Sequence, residues 1–275
     1  MIESTKTVLR PSQGKIELAF NELWEFKELL YFLTWRDIKI RYKQTLLGVL
    51  WVILQPLLTM VLFSIIFGKL SKMPSEGLPY PIFCYAALLP WNYFSHTITQ
   101  ASNTLVSNSN LISKIYFPRL LIPISVVLVG VLDFIIASTI FAFLLLYYHL
   151  GLTKHVIFLP FFLGLGFITT LGVGFWFSAL QVKYRDVRHL IPFVTQFWMF
   201  MTPVIYPSSL LSDPWKTFYG LNPMVGVIEG MRWSLLNTPA PSLLMIGMST
   251  SSAGFLFFSG FRYFRKAEKH FADLI

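Results

Sequence analysis

Residues 47–67 read LGVLWVILQPLLTMVLFSIIF, a run without Asp, Glu, Lys or Arg, set between Lys43 and Lys69. A bilayer core about 30 Å thick takes about 20 residues of helix, a conformation that satisfies its own backbone polar groups where no water can. The run is therefore predicted to cross a membrane. Five more stretches between charges meet the same test: 79–99, 120–148, 156–182, 190–206 and 243–264. Two of them, 120–148 and 156–182, exceed the minimum length and leave room for tilt. Composition points the same way, since 55% of the 275 residues are hydrophobic and 13% charged, against roughly 25% charged in an ordinary soluble domain. Disorder is excluded, and an all-α integral membrane protein forming a single domain over 1–275 is expected rather than a soluble enzyme.

The formal net charge is +9, which on a soluble chain would suggest nucleic acid. Its distribution points elsewhere. Seventeen of the 22 Lys and Arg precede the first run, follow the second, follow the fourth or end the chain, and five lie on the opposite side. Basic loops stay cytoplasmic, so both termini are expected in the cytoplasm and no nucleic-acid partner is expected. The polar first 16 residues lack a short apolar core and a small-residue cleavage site, so no signal peptide is expected. A single cysteine, Cys84, excludes a disulfide framework and a cysteine-rich zinc site. The five histidines show no metal-ligand spacing, and neither Gly14-Lys15-Ile16 nor Gly68-Lys69-Leu70 makes a phosphate-binding loop. If ATP is used, another polypeptide binds it.

Three segments outside the spans read as structured. Leu23, Phe26, Leu30 and Leu33 recur at helical spacing, opposite Asn21, Glu25 and Glu28, which predicts an amphipathic helix lying at the membrane surface. It leads into the basic run Arg36, Lys39, Arg41 and Lys43, so that 17–43 forms one interfacial unit, with residues 38–43 continuing or bending the helix. The loop 100–118 is polar and then turns apolar at Leu111-Ile112 and Ile115-Tyr116-Phe117, which suits a short docking helix. Residues 207–236 carry two capping signals, Ser212-Asp213-Pro214 and Asn222-Pro223. They read as two short apolar helices in a re-entrant hairpin, allowed at membrane depth only when packed on protein or lining a cavity.

Asp133 is the only Asp, Glu, Lys or Arg well inside a span. An intramembrane carboxylate is a functional candidate by default. The plain alternatives are bonds to neighbours such as Ser125 or Ser138, a place at a subunit interface or lumen, or a protonated carboxyl. Gly164, Gly166, Gly172 and Gly174 allow close helix packing or a gating hinge. Trp91, Tyr93 and Trp215 fit interfacial aromatic belts or the wall of a conduit for sugar rings. The basic run attracts anionic lipid in general or, more sharply, the diphosphate head of a lipid-linked substrate.

Several local patterns coincide in order. The stretch from Trp35-Arg36-Asp37 through Leu50-Trp51, followed by Gln55-Pro56, resembles the entry to the first span in membrane subunits of polysaccharide-exporting ABC transporters, which handle O-antigen, capsule and teichoic-acid polymers. Leu89-Pro90-Trp91, Asn108 to Ile112 with Phe117-Pro118-Arg119, Tyr184-Arg185-Asp186-Val187, and Thr202-Pro203-Val204-Ile205-Tyr206 with Leu221-Asn222-Pro223 and Arg232 continue the resemblance. It runs from about residue 17 to the end.

The resemblance implies a homodimer in the bacterial inner membrane, joined by two copies of a separate ATPase subunit that holds ATP and Mg, with no cofactor on this chain. Ser107, Asn108, Leu111, Ile112, Ile115 and Tyr116 would form the main coupling helix, and Arg185 and Asp186 a second ATPase contact. The helix before Trp35 would admit an undecaprenyl-linked polysaccharide, and Arg36, Lys39, Arg41 and Lys43 would meet its phosphate. Trp91, Tyr93, Tyr206, Trp215, Tyr219, Asn222 and Arg232 would belong to the channel or its outer gate. Export of a small molecule or drug, and a membrane-embedded polyprenyl-phosphate glycosyltransferase using Asp37 and Asp186, are the competing readings.

Overall fold

The computed structural model describes residues 23–43, 46–151, 153–212 and 215–271. The expected polar tail, the start of the interfacial helix and the capping pair Asp213-Pro214 lie outside those residues. Every regular element among the described residues is helical. The first, α1 (Lys27–Lys43), opens with Glu28 in its first turn and closes with Arg41 and Lys43 in its last, charges that suit the ends of the helix dipole. It runs unbroken through residues 38–43. Leu33 is buried, and Leu23, Phe26 and Leu30 pack beside it on the protein body, while Tyr31, Phe32, Trp35 and Ile40 are exposed. The helix is thus apolar on two sides, one turned to protein and one outward, and is not the one-sided amphipath expected.

Helix α2 (Leu46–Phe63) contains Pro56 and continues as a π-helical turn, Ser64–Leu70. Long helices α3 (Tyr80–Ser107) and α5 (Leu121–Tyr147) follow, separated by the short α4 (Ser109–Lys114). A 3-10 turn, Lys154–Phe158, leads into α6 (Leu159–Lys183), then α7 (Val187–Phe200), α8 (Trp215–Tyr219), α9 (Pro223–Leu236) and α10 (Leu243–Glu268). Among the described residues, four helical segments are long and apolar enough to cross a membrane: Gly48–Leu70, Leu121–Tyr147, Lys154–Lys183 and Leu243–Glu268.

The two other expected spans differ for identifiable reasons. Residues 79–99 lie in α3, whose 28 residues are long enough, but Asn92, Ser95, His96, Thr97 and Thr99 make it polar where it borders a cavity. Its helix also absorbs the first half of the expected loop 100–118. The fifth, 190–206, is cut short: α7 has 14 residues, about 21 Å of helix at 1.5 Å each. Pro203 lacks an N–H and turns the residue before it away from helical geometry. The chain from Met201 to Pro207 is irregular as a result.

Helix α3 is central, packing on α2, α5, α6, α7 and α9. A second core joins the ends of several elements, with Leu33 of α1, Ile112 of α4, Val182 of α6, Phe264 of α10 and Phe271 buried together. One end of the bundle therefore gathers α1, α4 and the last turns of α6 and α10. Close approach of α6 to α10 depends on two glycines: a Cβ on Gly172 would lie 2.6 Å from the Phe257 amide nitrogen, and one on Gly260 would lie 2.3 Å from the Gly172 carbonyl oxygen. Gly172 thus serves packing.

Candidate functional site

Helix α1 presents Arg36, Asp37, Arg41 and Tyr42 to the body of the protein. Arg36 donates from Nη2 to Asn108 Oδ1 at 2.9 Å and pairs with Asp37 at 2.8 Å. Five residues on, Arg41 pairs with Asp133 of α5, and Tyr42 donates its hydroxyl to the other carboxylate oxygen. Burial and that bond push the Tyr42 hydroxyl above the ordinary phenol range, so it stays protonated and remains a donor. Arg41 Nη2 also lies 3.2 Å from His96 Nε2. Asp133 is therefore neither isolated nor bonded to the expected serines. Ser138 donates to the Phe134 carbonyl, and Ser125 donates to the Ile122 carbonyl and to Asp37 at 3.4 Å.

The four basic residues of the run separate by helix geometry. Arg36 and Arg41 face inward and are half-buried, whereas Lys39 and Lys43 are exposed, with Lys39 over the Trp35 ring at 5.4 Å. Two cavities adjoin the inward pair. One, about 630 Å³, lies between α1, α3 and α5 and is bordered by Arg36, Asp37, Arg41, Gln100, Asn103 and Asn108. The other, about 480 Å³, runs deeper and combines the rings of Trp51, Tyr93 and Phe134 with Gln55, Asn92 and Thr195. Asn92 Nδ2 and Thr97 Oγ1 border the deeper cavity and are buried without a protein partner. Unpartnered buried groups of this kind cost about 1–3 kcal/mol each. Arg41 and Gln100 border both cavities, which therefore adjoin there.

Asn108 separates α3 from α4. Its amide nitrogen donates to the Thr104 carbonyl at 2.8 Å, and its oxygen accepts from Arg36. Beyond it, Ile112 is buried as an anchor while Ile115 and Tyr116 are 57% and 61% exposed. Ser107 turns its hydroxyl back to the Thr104 carbonyl, and Leu111 is half-buried against the core. Arg185 and Asp186 are exposed in the turn between α6 and α7. The predicted docking residues thus comprise an anchored helix followed by two protruding side chains, and a separate exposed turn.

The residues expected in the channel or gate divide differently. Tyr93 borders the deeper cavity, and Trp215 on α8 is 68% exposed. Trp91 is buried against Phe94 in the core. Arg232 is 1% exposed, with its guanidinium 3.6 Å over the Phe83 ring. It donates to the carbonyls of Phe83 and Val204 at 3.2 and 2.9 Å, and pairs with Glu229 at 3.4 Å. Asn222 caps α9 at the Met224 amide, accepts from Trp198 Nε1, and donates to the Met201 carbonyl at 3.0 Å. The Tyr206 hydroxyl donates to the Phe200 carbonyl and lies 2.9 Å from the Tyr219 hydroxyl. Carbonyls left without helical partners between Phe200 and Tyr206 are satisfied by these side chains, as buried backbone requires. The expected hairpin is unequal: α9 is buried along nearly its whole length, while α8 has 5 residues and exposed rings.

Sequence reasoning named both Arg41 and Asp133 but gave them unrelated roles, because they stand 92 residues apart. It assigned no role to Tyr42, His96 or Gln100. The polar break in the otherwise apolar α3 was the one signal that could have pointed to His96 and Gln100.

Apolar helices of membrane-crossing length, packed around cavities bordered by arginine and amide side chains, describe a multi-pass membrane protein. The chain belongs to the ABC-2 type transporter family, whose model matches residues 28–236. It is 29% identical to the O-antigen export system permease protein RfbA of Myxococcus xanthus, over 77% of this chain and 81% of that protein. A Klebsiella pneumoniae RfbA is 28% identical over 90% of this chain and 95% of its own length. The polysialic acid transport protein KpsM of Escherichia coli is 22% identical, over 73% and 78% respectively.

Proposed function

We propose that this chain is the permease of an inner-membrane exporter, and that two copies of it conduct an undecaprenyl-linked polysaccharide outward, driven by ATP hydrolysed on a separate subunit. The observation that carries the reading is the placement of α1. Its inward arginines border a cleft that adjoins a second cavity lined in part by aromatic rings, and the same helix bonds to the cap of α4. Aromatic faces pack on the C–H faces of sugar rings, and arginine binds phosphate through paired hydrogen bonds. Relatives named for O-antigen and polysialic acid transport support a polymer as cargo.

In this reading Ile115 and Tyr116 insert into the ATPase subunit on the cytoplasmic face, with Arg185 and Asp186 as a second contact. Closure of the two ATPase subunits then stabilises one channel state over the other. The exposed Lys39 and Lys43 with Trp35 hold α1 at the lipid surface, at about 1 kcal/mol per basic residue near an anionic membrane. Arg36 and Arg41 receive the diphosphate. The test is surface display of the polymer in a strain lacking this gene and complemented with Arg36→Gln plus Arg41→Gln. Loss of display with normal membrane insertion is expected; normal display would refute the role of α1.

A further inference from the structure

The place where the two cavities adjoin is not an open cationic site. Arg41, which borders both, is paired with a carboxylate from another helix, and Tyr42 donates to the same group. Asp133 is largely withdrawn from solvent, with 13% of its side chain exposed against 22% for Arg41. Arg36, at the wider end, is likewise matched by Asp37. Each inward arginine thus carries its own counter-ion before any ligand arrives.

This arrangement matters because of what else is in the membrane. Lipids with a single negative charge are abundant at the inner leaflet and are drawn to basic segments, so an uncompensated Arg41 would be occupied by them. A carboxylate held in place by the fold has a high effective concentration. A free monoanion of equal charge competes poorly with it. A diphosphate carries more charge and offers paired acceptor oxygens to the guanidinium. Once displaced, Asp133 keeps the Tyr42 hydroxyl as its donor.

Resting on the phosphate role of α1 given above, we propose that Asp133 is a specificity-determining counter-ion, which yields Arg41 to a diphosphate group and withholds it from singly charged lipid head groups. Discrimination then comes from the cost imposed on the wrong ligand as much as from attraction to the right one. Displacement also removes the ionic tie between α1 and α5 at that point.

The experiment uses the full chain in phosphatidylcholine nanodiscs, with fluorescently labelled farnesyl diphosphate as probe and phosphatidylglycerol or inorganic diphosphate as competitors. The ratio of phosphatidylglycerol to farnesyl diphosphate affinity is the readout. Asp133→Asn keeps the shape and an acceptor for Tyr42 but removes the charge, so the wild-type preference for diphosphate is expected to narrow by about tenfold. Asp133→Glu restores the charge and is expected to restore the preference, an outcome that a merely structural role would not produce. An unchanged ratio in Asp133→Asn, with probe binding lost in Arg41→Gln, would overturn this proposal and leave the phosphate role of α1 standing. Equal probe binding by wild type and Arg41→Gln would overturn both. Inorganic diphosphate competing as strongly as the lipid analogue identifies the diphosphate alone as the recognised group, and weaker competition adds the isoprenoid tail; the affinity ratio decides the role of Asp133 in either case.

Discussion

Arg36 Nη2 and Asn108 Oδ1, 2.9 Å apart, join α1 to the cap of α4, the short helix that leads into the exposed Ile115 and Tyr116. The amide of Asn108 is committed to the Thr104 carbonyl, so its oxygen is the free end that Arg36 takes. A hydrogen bond to a charged donor is worth about 1.5–3 kcal/mol, enough to couple movement of α1 to the position of α4.

Replacing Asn108 with Ala removes both bonds at once. Hydrogen exchange of the α4 amides is expected to accelerate about tenfold, the equivalent of about 1.4 kcal/mol, while α3 before Thr104 is unaffected. Unchanged exchange across 109–114 would show that the apolar cluster around Ile112 holds α4 without the link.

Ile112 and its exposed neighbours should behave oppositely. Ile112→Asp puts an unpaired charge where the side chain is 5% exposed and is expected to lower the thermal midpoint in detergent sharply. Ile115→Asp with Tyr116→Asp leaves the midpoint near that of wild type, because both side chains already face solvent. Only the second variant tests docking, and it is expected to lose co-purification with the ATPase subunit.

Arg232 is predicted to serve the fold. Its guanidinium reaches two carbonyls and a carboxylate from three segments. Arg232→Met takes the guanidinium from those acceptors and leaves the buried Glu229 with the Ser208 amide but no cation, and removing one partner of a buried ion pair costs about 3–5 kcal/mol. Arg232→Lys is expected to recover little of this, since one ammonium cannot span the same fork. Membrane protein yield and thermal midpoint measure both. Wild-type values for Arg232→Met would return the residue to a gating role.

How much of this was legible in the sequence depends on the range of the interaction. Long apolar runs announced α2, α5, α6 and α10, and Leu111-Ile112 with Ile115-Tyr116 announced a short helix after a break. The shortened α7 was hidden because Pro203 sits in a segment as apolar as a span, and hydropathy does not register a missing N–H. Asn222 and Arg232 were assigned to the gate by resemblance alone, and the acceptors they meet, the Met201 and Val204 carbonyls, are backbone atoms with no signature in the sequence. Likewise no local pattern pairs Arg41 with Asp133.

Two glycines of α6 give a contrast within one helix. Gly172→Ala drives a methyl into the α10 backbone, where nothing flexible can give way, and is expected to cost about 1–3 kcal/mol. Gly164→Ala meets nothing within 4 Å and is expected to be neutral or to stabilise through helix propensity. Thermal midpoints of the two variants check the assignment of Gly172 to packing.

Transport itself is the most direct measurement. Inverted vesicles containing this chain and its ATPase subunit, supplied with undecaprenyl-linked polymer on the outside, should make the polymer inaccessible to an added glycosidase only when ATP is present and both subunits are active. Polymer that stays accessible with ATP and an active ATPase subunit, or that becomes protected without that subunit, would contradict the account.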